Sequence, residues 1–237
     1  MTRRRWIADE VDGNIAALTG AHADHLTRVL RARVGEEYDV VAAETVRQAR
    51  LSAIQPGRVE FELGDLVPDP GVPQVSLLLA ICKFDRMEWA IEKATELGVA
   101  HIVPVIAQRS DRHLTAAANK RVDRWRRISL QSSEQARRAA PPEILEPQKL
   151  REATPMLATT RILLSENEHA TRLKDALASH PAAGSVLLAI GPEGGWTPGE
   201  ETLFRDAGWI SASLGTTILR AETACVAALA IVFSVLS

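Results

Sequence analysis

The chain has 237 residues, of which 46% are hydrophobic and 24% are charged, as in soluble globular proteins. Its net charge of −2 argues against a uniformly basic nucleic-acid binder, and it contains no apolar run long enough to span a membrane. Cys82 and Cys225 are isolated, no Cys/His cluster has zinc spacing, and no apolar signal core follows the first residues. We therefore expect a reduced, cytoplasmic protein that needs no metal.

Residues 1–72 are predicted to form a small β-rich domain. Val40–Ala43 and Val59–Leu63 have the apolar pattern of strands, and His25–Arg31 has that of a short amphipathic helix. Residues 65–73 contain three prolines and one glycine, which predicts a stiff linker. We place the domain boundary there, with a second domain over residues 73–237.

The second domain begins with a predicted strand–helix–strand unit. Val75–Cys82 is a continuous apolar run, as in a buried parallel strand. Asp85 is expected to cap a helix, and Gly98 is expected to end it. Val99–Ile106 then returns as a strand, which completes a right-handed crossover unit.

A basic segment follows in this otherwise neutral chain. Residues 109–151 carry 11 Lys and Arg against five Asp and Glu. A helix is predicted from about Ala116 to Ala139, with Trp125 on its apolar face as a core anchor or a base-stacking platform. The basic side chains either follow a phosphate backbone or form one solvated face of a charged helix.

The remaining elements alternate between strand and helix. Strands are predicted at 161–165, 185–190 and 209–214, and helices at 169–178, 198–207 and 221–236. The helix at 198 follows Thr197-Pro198-Gly199-Glu200, a capping box with proline at the first helical position. This alternation predicts an α/β fold with a mainly parallel sheet.

Two glycine-containing loops follow predicted strands in this region. One is Gly191-Pro192-Glu193-Gly194-Gly195-Trp196, and the other is Ser213-Leu214-Gly215-Thr216-Thr217-Ile218-Leu219-Arg220. Ligands of open α/β sheets bind beyond the carboxyl ends of the strands, so two adjacent loops predict one small-molecule site. A phosphate loop is disfavoured, because no Lys-Ser/Thr follows and Glu193 would repel phosphate. A plain strand–turn–helix connection is the alternative for the first loop.

The paired motifs Ile-Gly-Pro-Glu-Gly-Gly at 190–195 and Leu-Gly-x-x-Ile-Leu-Arg-x-Glu-Thr-Ala at 214–224 closely resemble the RsmE family. The similarity extends to residues 25–35, 83–98 and 131–144. These SPOUT-superfamily enzymes transfer a methyl group from S-adenosyl-L-methionine to uracil N3 in 16S ribosomal RNA, forming 3-methyluridine. The resemblance implies an N-terminal PUA-like RNA-binding domain and a C-terminal SPOUT domain whose two loops form a deep trefoil knot. It also implies a homodimer that acts on small-subunit RNA within the assembled 30S subunit.

The same resemblance implies three groups of site residues. Catalytic candidates are Arg220, Glu222 and Arg109, and Glu222 is alternatively only a helix cap. The cofactor-binding candidates are Leu164, Ile190, Gly191, Pro192, Glu193, Gly194, Gly195, Ser213, Leu214, Gly215, Ile218, Leu219, Thr223 and Ala224. The RNA-binding candidates are Arg4, Arg5, Arg28, Arg31, Lys83, Arg86, Arg124, Arg127, Glu134, Gln135 and Arg138. The arginines near the N-terminus are alternatively a frayed, solvated segment.

The chain departs from the family pattern at two positions. Phe84 stands where the family usually has glycine, and Thr217 stands where it usually has arginine. Two alternatives to an rRNA uracil-N3 methyltransferase stay open, the first because the SPOUT fold is reused across targets and the second because of these two departures. One is a SPOUT methyltransferase with another RNA target, and the other is a non-catalytic RNA-binding or ribosome-assembly protein.

Overall fold

The computed structural model describes residues 5–43, 45–67, 74–179 and 184–236. The chain forms two compact units. The first comprises Met1–Gly71 with the short segment Arg137–Ala140, and the second comprises Val72–Ala136 with Pro141–Ser237.

Within its described residues, the first unit contains a six-stranded sheet in the order β1-β4-β5-β6-β3-β2. Its strands are β1 (Arg5–Ile7), β2 (Glu10–Asp12), β3 (Ile15–Thr19), β4 (Glu37–Ala42), β5 (Thr45–Gln55) and β6 (Arg58–Leu66). β1 pairs with β4 in parallel, and the other pairings are antiparallel. Alternate side chains enter a core that includes Leu18, Leu51 and Phe61. The unit is therefore β-rich, as predicted.

The helical segment of this unit begins earlier in the sequence than predicted. Helix α1 spans Gly20–Asp24, and a π-helical turn continues it over His25–Val29. The expected helix over His25–Arg31 therefore begins five residues too late. It also ends too late, because Arg31 has a positive φ of 52°, which a right-handed helix does not allow.

The second unit contains a parallel sheet in the order β10-β8-β7-β12-β11-β13, with β9 paired to β8. These strands are β7 (Val75–Ala80), β8 (His101–Ile106), β9 (Glu143–Ile144), β10 (Gln148–Lys149), β11 (Thr160–Leu164), β12 (Val186–Ile190) and β13 (Ile210–Ala212). Every described pairing in this sheet is parallel. The arrangement confirms the predicted α/β class with its mainly parallel sheet.

Helices cover both faces of this sheet. They are α2 (Phe84–Leu97), α3 (Arg112–Ala117), α4 (Val122–Gln135), α5 (Leu150–Ala153), α6 (Leu173–Ala178), α7 (Pro198–Asp206) and α8 (Ala221–Leu236). One core cluster contains Leu77 and Leu188 with residues of α2, α4, α6 and α8. The opposite cluster contains Leu78 and Leu187 with Trp196, Phe204 and Trp209. Because successive strand residues enter opposite clusters, the strands are apolar on both faces.

Four predictions about the helices are wrong. Helix α4 ends at Gln135 rather than Ala139, because Arg137 has a φ of +55°. A 3₁₀ turn over Ala118–Arg121 separates α4 from α3, so the basic segment is not one continuous helix. Lys83, not Asp85, occupies the N-cap position of α2, and α6 begins at Leu173 rather than at residue 169.

Two features are absent from the described part of the chain. No helix there is long and apolar enough to cross a membrane. No cluster of three or more His, Cys, Asp or Glu side chains among the same residues has a metal-binding arrangement.

Candidate functional site

Three parallel strands end at one place in the second unit. β11 lies between β12 and β13 in the sheet, so the loops that follow β12 and β13 flank the end of β11. The last residues of the three strands, Leu164, Ile190 and Ala212, line one open cavity of about 680 Å³. Ligands of parallel sheets bind at this kind of place, beyond the carboxyl ends of adjacent strands.

The first glycine loop closes one side of this cavity with a tight backbone turn. The Gly195 N–H donates to the Pro192 carbonyl oxygen at 2.8 Å. Gly195 has a φ of +67°, which favours glycine, and a Cβ built there would lie 2.7 Å from Glu166 Oε1. The loop therefore needs glycine here for its conformation, whereas the exposed end of Glu166 could move aside for a Cβ.

Hydrogen bonds from the side chains of Trp196 and Arg109 fix the position of the same loop. Trp196 is buried, and its Nε1 donates to the Leu164 carbonyl oxygen at 3.1 Å. Arg109 Nη1 donates to the carbonyl oxygens of Gly194 at 2.7 Å and Trp196 at 3.2 Å. A Cβ on Gly194 would lie 3.3 Å from the Arg109 side chain. Arg109, a predicted catalytic candidate, therefore fixes the shape of the loop in this structure.

The second loop forms the opposite side of the cavity. Ser213 continues the direction of β13 by exchanging backbone hydrogen bonds with Thr171 and Leu173. Gly215 follows with a φ of +147°. Ile218 lines the cavity yet is 82% exposed, so a large apolar side chain stands at the cavity mouth without cover.

Most of the predicted cofactor contacts meet at this cavity. Twelve of the fourteen candidates line it, and Gly194 and Thr223 do not. Six further lining residues were not predicted: Ser165, Glu166, Trp196, Ala212, Thr217 and Ala221. Ser165 and Glu166 directly follow β11, so the rule that ligands gather at carboxyl ends of parallel strands identifies them once β11 is located. Thr217, one of the two departures from the family pattern, therefore lines the cavity.

A guanidinium lies between two carboxylates close to these loops. Arg86 Nη1 is 3.3 Å from Glu193 Oε1, and Arg86 Nε is 3.8 Å from Glu222 Oε1. The Glu222 side chain is only 14% exposed, and its buried Oε2 accepts no hydrogen bond from the described residues. The side chain of Arg220, the third catalytic candidate, is exposed and forms no ion pair within the described chain.

The thiol of Cys82, near Arg86, Glu193 and Glu222, is expected to be unreactive. Burial raises the pKa of its thiol to about 12, and the negative charges of Glu193 and Glu222 add to the rise. A thiol with this pKa is protonated at neutral pH, so Cys82 is not a nucleophile.

The predicted RNA contacts at the start of α2 and on α4 differ in whether the side chain is already held in an ion pair. Arg124 forms a two-point ion pair with Glu88, at 2.6 and 2.8 Å, and this contact raises the pKa of the Arg124 guanidinium. Lys83 and Arg127 are exposed, and so are Glu134 and Gln135 near the end of α4. Trp125 is fully buried, which confirms its prediction as a core anchor.

The RNA-binding candidates in the first unit differ in exposure. Arg28 and Arg31 are exposed, and Arg5 is half-buried in β1. Arg137 lies over the Trp6 ring at 5.2 Å, and burial lowers the pKa of the neighbouring Arg138. Arg4 lies outside the described residues.

Phe84 packs into the second unit in place of the glycine of the family pattern. Its ring meets the Trp125 ring edge-on at 6.1 Å, and the Arg121 guanidinium lies 4.7 Å from its centre. Phe84 therefore adds a packed aromatic contact at the start of α2, where glycine would leave the backbone bare.

Comparison with known proteins gives a consistent result. The model of the RNA methyltransferase domain family matches residues 70–233. A Mycobacterium bovis protein named ribosomal RNA small subunit methyltransferase E is 34% identical over 229 residues, covering 92% of this chain and 85% of that protein. A protein of the same name from Aquifex aeolicus is 28% identical, covering 97% and 98%.

A solved structure agrees over nearly the whole chain. The crystal structure of ribosomal RNA small subunit methyltransferase E from Neisseria gonorrhoeae, bound to S-adenosyl methionine, matches with a TM-score of 0.69 and 31% identity. The match covers 96% of this chain and 95% of that one. The glycine loops, the parallel sheet and these matches lead to one conclusion: the chain belongs to the ribosomal RNA small subunit methyltransferase E, or RsmE, family of RNA methyltransferases.

Proposed function

We propose that this chain is an S-adenosylmethionine-dependent methyltransferase that modifies uracil N3 in 16S ribosomal RNA of the small subunit. The observation that carries the proposal is the convergence of the two glycine loops on one cavity, lined by twelve of the fourteen predicted cofactor contacts. The similar Neisseria protein was solved with S-adenosyl methionine bound.

The residues around the cavity fit this cofactor. Leu164, Ile190 and Leu214 supply apolar surface, and Gly191 and Gly195 leave bare backbone at the wall. A Cβ at Gly191 would lie 3.2 Å from the Trp196 ring, so a larger residue would narrow this wall. The exposed Ile218 offers an apolar surface that a flat adenine ring would cover. When bound, S-adenosylmethionine supplies a methyl group on a positively charged sulfur.

The protein must orient a uracil and handle the proton on N3. Oε2 of Glu222 is enclosed in the free protein and has no partner among the described residues, so it accepts the N3–H of the target base once the entering base opens a path to it. The exposed guanidinium of Arg220, two residues earlier, stabilises negative charge on the uracil oxygens. Because N3 lies on the Watson–Crick edge, the uridine must be unpaired when it enters. Arg109 supports this site by fixing the first loop.

The wider assignment follows the family. Residues 1–72 act as a PUA-like RNA-binding domain through Arg4, Arg5, Arg28 and Arg31, and residues 73–237 act as a SPOUT domain with a trefoil knot. Exposed Lys83 and Arg127 contact phosphates, and Arg138, Glu134 and Gln135 contribute polar contacts. The enzyme works in the cytoplasm as a homodimer joined through α8, and its substrate is the assembled 30S subunit.

The experiment is methyl transfer from isotopically labelled S-adenosylmethionine. Naked 16S rRNA and intact small subunits that lack the modification are offered in parallel, with transfer RNA as a third substrate. Label in ribosomal RNA alone supports the proposal, and a preference for subunits supports the 30S assignment. Label in transfer RNA moves the target to another RNA. If calorimetry detects no cofactor binding and no methyl group is transferred, the result supports a non-catalytic RNA-binding protein.

A further inference from the structure

Arg86 occupies a position that its expected role as a phosphate contact does not explain. It lies in the first turn of α2, and its side chain is only 23% exposed. Its guanidinium faces two carboxylates at once, Glu193 at 3.3 Å and Glu222 at 3.8 Å. A cation whose charge already meets two carboxylates is poorly available to a phosphate.

Glu193 fixes this guanidinium from the first glycine loop. Its Oε1 accepts from Arg86 Nη1 and also from the backbone N–H of Lys83, both at 3.3 Å. Lys83 is the N-cap residue of α2, and no side chain of its own caps that helix end. Glu193 therefore places a negative charge at the positive end of a fourteen-residue helix, although it is 110 positions from Lys83 in the sequence.

The two oxygens of Glu222 have different surroundings. Oε1 faces Arg86, whereas Oε2 is buried and unpartnered within the described chain. A buried carboxylate oxygen without a partner is costly, so a lone one in a native site calls for a specific explanation. The contact between Oε1 and Arg86 sets the rotation of the carboxylate and makes Oε2 the enclosed oxygen without a partner.

We propose that Arg86 is a positioning residue for the methyl-transfer reaction. It orients Glu222 so that Oε2 receives the N3–H of the target uracil once the entering base opens a path to this enclosed atom, and Glu193 holds Arg86 in place from the cofactor loop. The first loop and the acceptor carboxylate are thereby joined through one guanidinium. This inference rests on the proposed function, because it assigns the target base as the missing partner of Oε2.

The test compares Arg86→Met, Arg86→Lys and a matched control. Lys93→Met is the control, because Lys93 lies on the same helix and also contacts two carboxylates, Glu92 and Glu96, each at 2.7 Å. For Arg86→Met we expect kcat for rRNA methylation to fall about 100-fold, with KM for RNA and the melting temperature close to wild type. Arg86→Lys should recover about tenfold, because an ammonium can still approach Glu222. Lys93→Met should match wild type.

Two further readouts make the outcome decisive. In the cofactor-free protein, Arg86→Met should speed hydrogen exchange at Gly194–Trp196 about tenfold, and Lys93→Met should not. At saturating cofactor, Arg86→Met should lower kcat less in a Glu193→Gln background than in wild type, since part of its effect passes through the contact that the two residues share. If kcat is unchanged in Arg86→Met, or if only KM rises, the role given to Arg86 is overturned. The proposed function still stands in that case, provided that the wild-type enzyme methylates ribosomal RNA. A wild-type protein that binds cofactor but does not methylate ribosomal RNA overturns the proposed function itself.

Discussion

Arg109 and Gly194 are separated by 84 residues in sequence, yet the Arg109 guanidinium donates to the Gly194 carbonyl oxygen at 2.7 Å. The same Nη1 atom also reaches the Trp196 carbonyl oxygen at 3.2 Å. One side chain thus holds the backbone of the first glycine loop on both sides of Gly195. Hydrogen bonds from charged donors are stronger than neutral ones, so this contact restricts the loop before any ligand binds.

Removing this contact should weaken cofactor binding. In Arg109→Met, the loop loses two charge-assisted hydrogen bonds, and we expect the Kd for S-adenosylmethionine to rise about tenfold. Calorimetric titration measures this change directly. Arg112→Met is the control, because Arg112 is exposed in α3 and has no side-chain partner among the described residues. Equal affinities for the two variants would contradict the role given to Arg109.

Substitution of Gly195 should close the cavity. Valine there must adopt a φ of +67° and place Cβ 2.7 Å from Glu166 Oε1, so we expect cofactor affinity to fall at least tenfold. Gly199→Ala, four residues later in α7, is the matched control, because a Cβ there has no neighbour within 4 Å. Circular dichroism checks that both variants fold. Unchanged affinity in a folded Gly195→Val variant would argue against this cavity as the cofactor site.

The two buried cysteines should make stability depend on alkaline pH. Burial raises both pKa values from 9.0 to about 12, so the folded protein keeps protons that the unfolded chain loses above pH 9. The free energy of unfolding should therefore fall as pH rises from 9 toward 12, by about 1 kcal/mol per thiol at pH 10.

Urea unfolding at pH 8 and pH 10 measures this loss. A Cys82→Ala/Cys225→Ala variant starts less stable because it lacks packed sulfur atoms, but its stability should change less between the two pH values. An identical change in variant and wild type would show that other groups cause the alkaline loss.

Arg127 should contribute to RNA affinity without sequence preference. It is exposed on α4, and no described carboxylate pairs with it, in contrast to Arg124. Arg127→Gln should weaken binding and lower the slope of log K against log salt by about 0.7 to 0.9, as expected for one lost phosphate contact. Lys174→Gln, at an exposed position of α6, serves as the control. An unchanged slope in Arg127→Gln would mean that this face of α4 does not meet the RNA backbone.

Local sequence signals predicted some elements very well. The capping box at Thr197 forms as expected, with Thr197 Oγ1 accepting from the Glu200 N–H and Glu200 Oε2 accepting from the Thr197 N–H. Helix α8 has the predicted bounds, because continuous apolar residues follow a defined loop. These signals act within one turn of helix, so the sequence contains all the information that they need.

Other features depend on distant contacts and could not be predicted. The end of α4 follows from the positive φ of Arg137, which no glycine marks in the sequence. Strand β5 was missed, because its eleven residues mix polar and apolar side chains without clear alternation. The ion pair between Arg86 and Glu193 joins residues 107 positions apart, and only the topology of the sheet brings them together.

The most direct test of the central claim is the chemical identity of the methylated nucleoside. Unmodified small subunits are incubated with this protein and deuterium-labelled S-adenosylmethionine, and the ribosomal RNA is then digested and analysed by nucleoside mass spectrometry. We predict labelled 3-methyluridine, lost in the Gly195→Val variant and retained in Gly199→Ala. A label on a ribose 2′-oxygen or on another base, with no 3-methyluridine, would contradict the account.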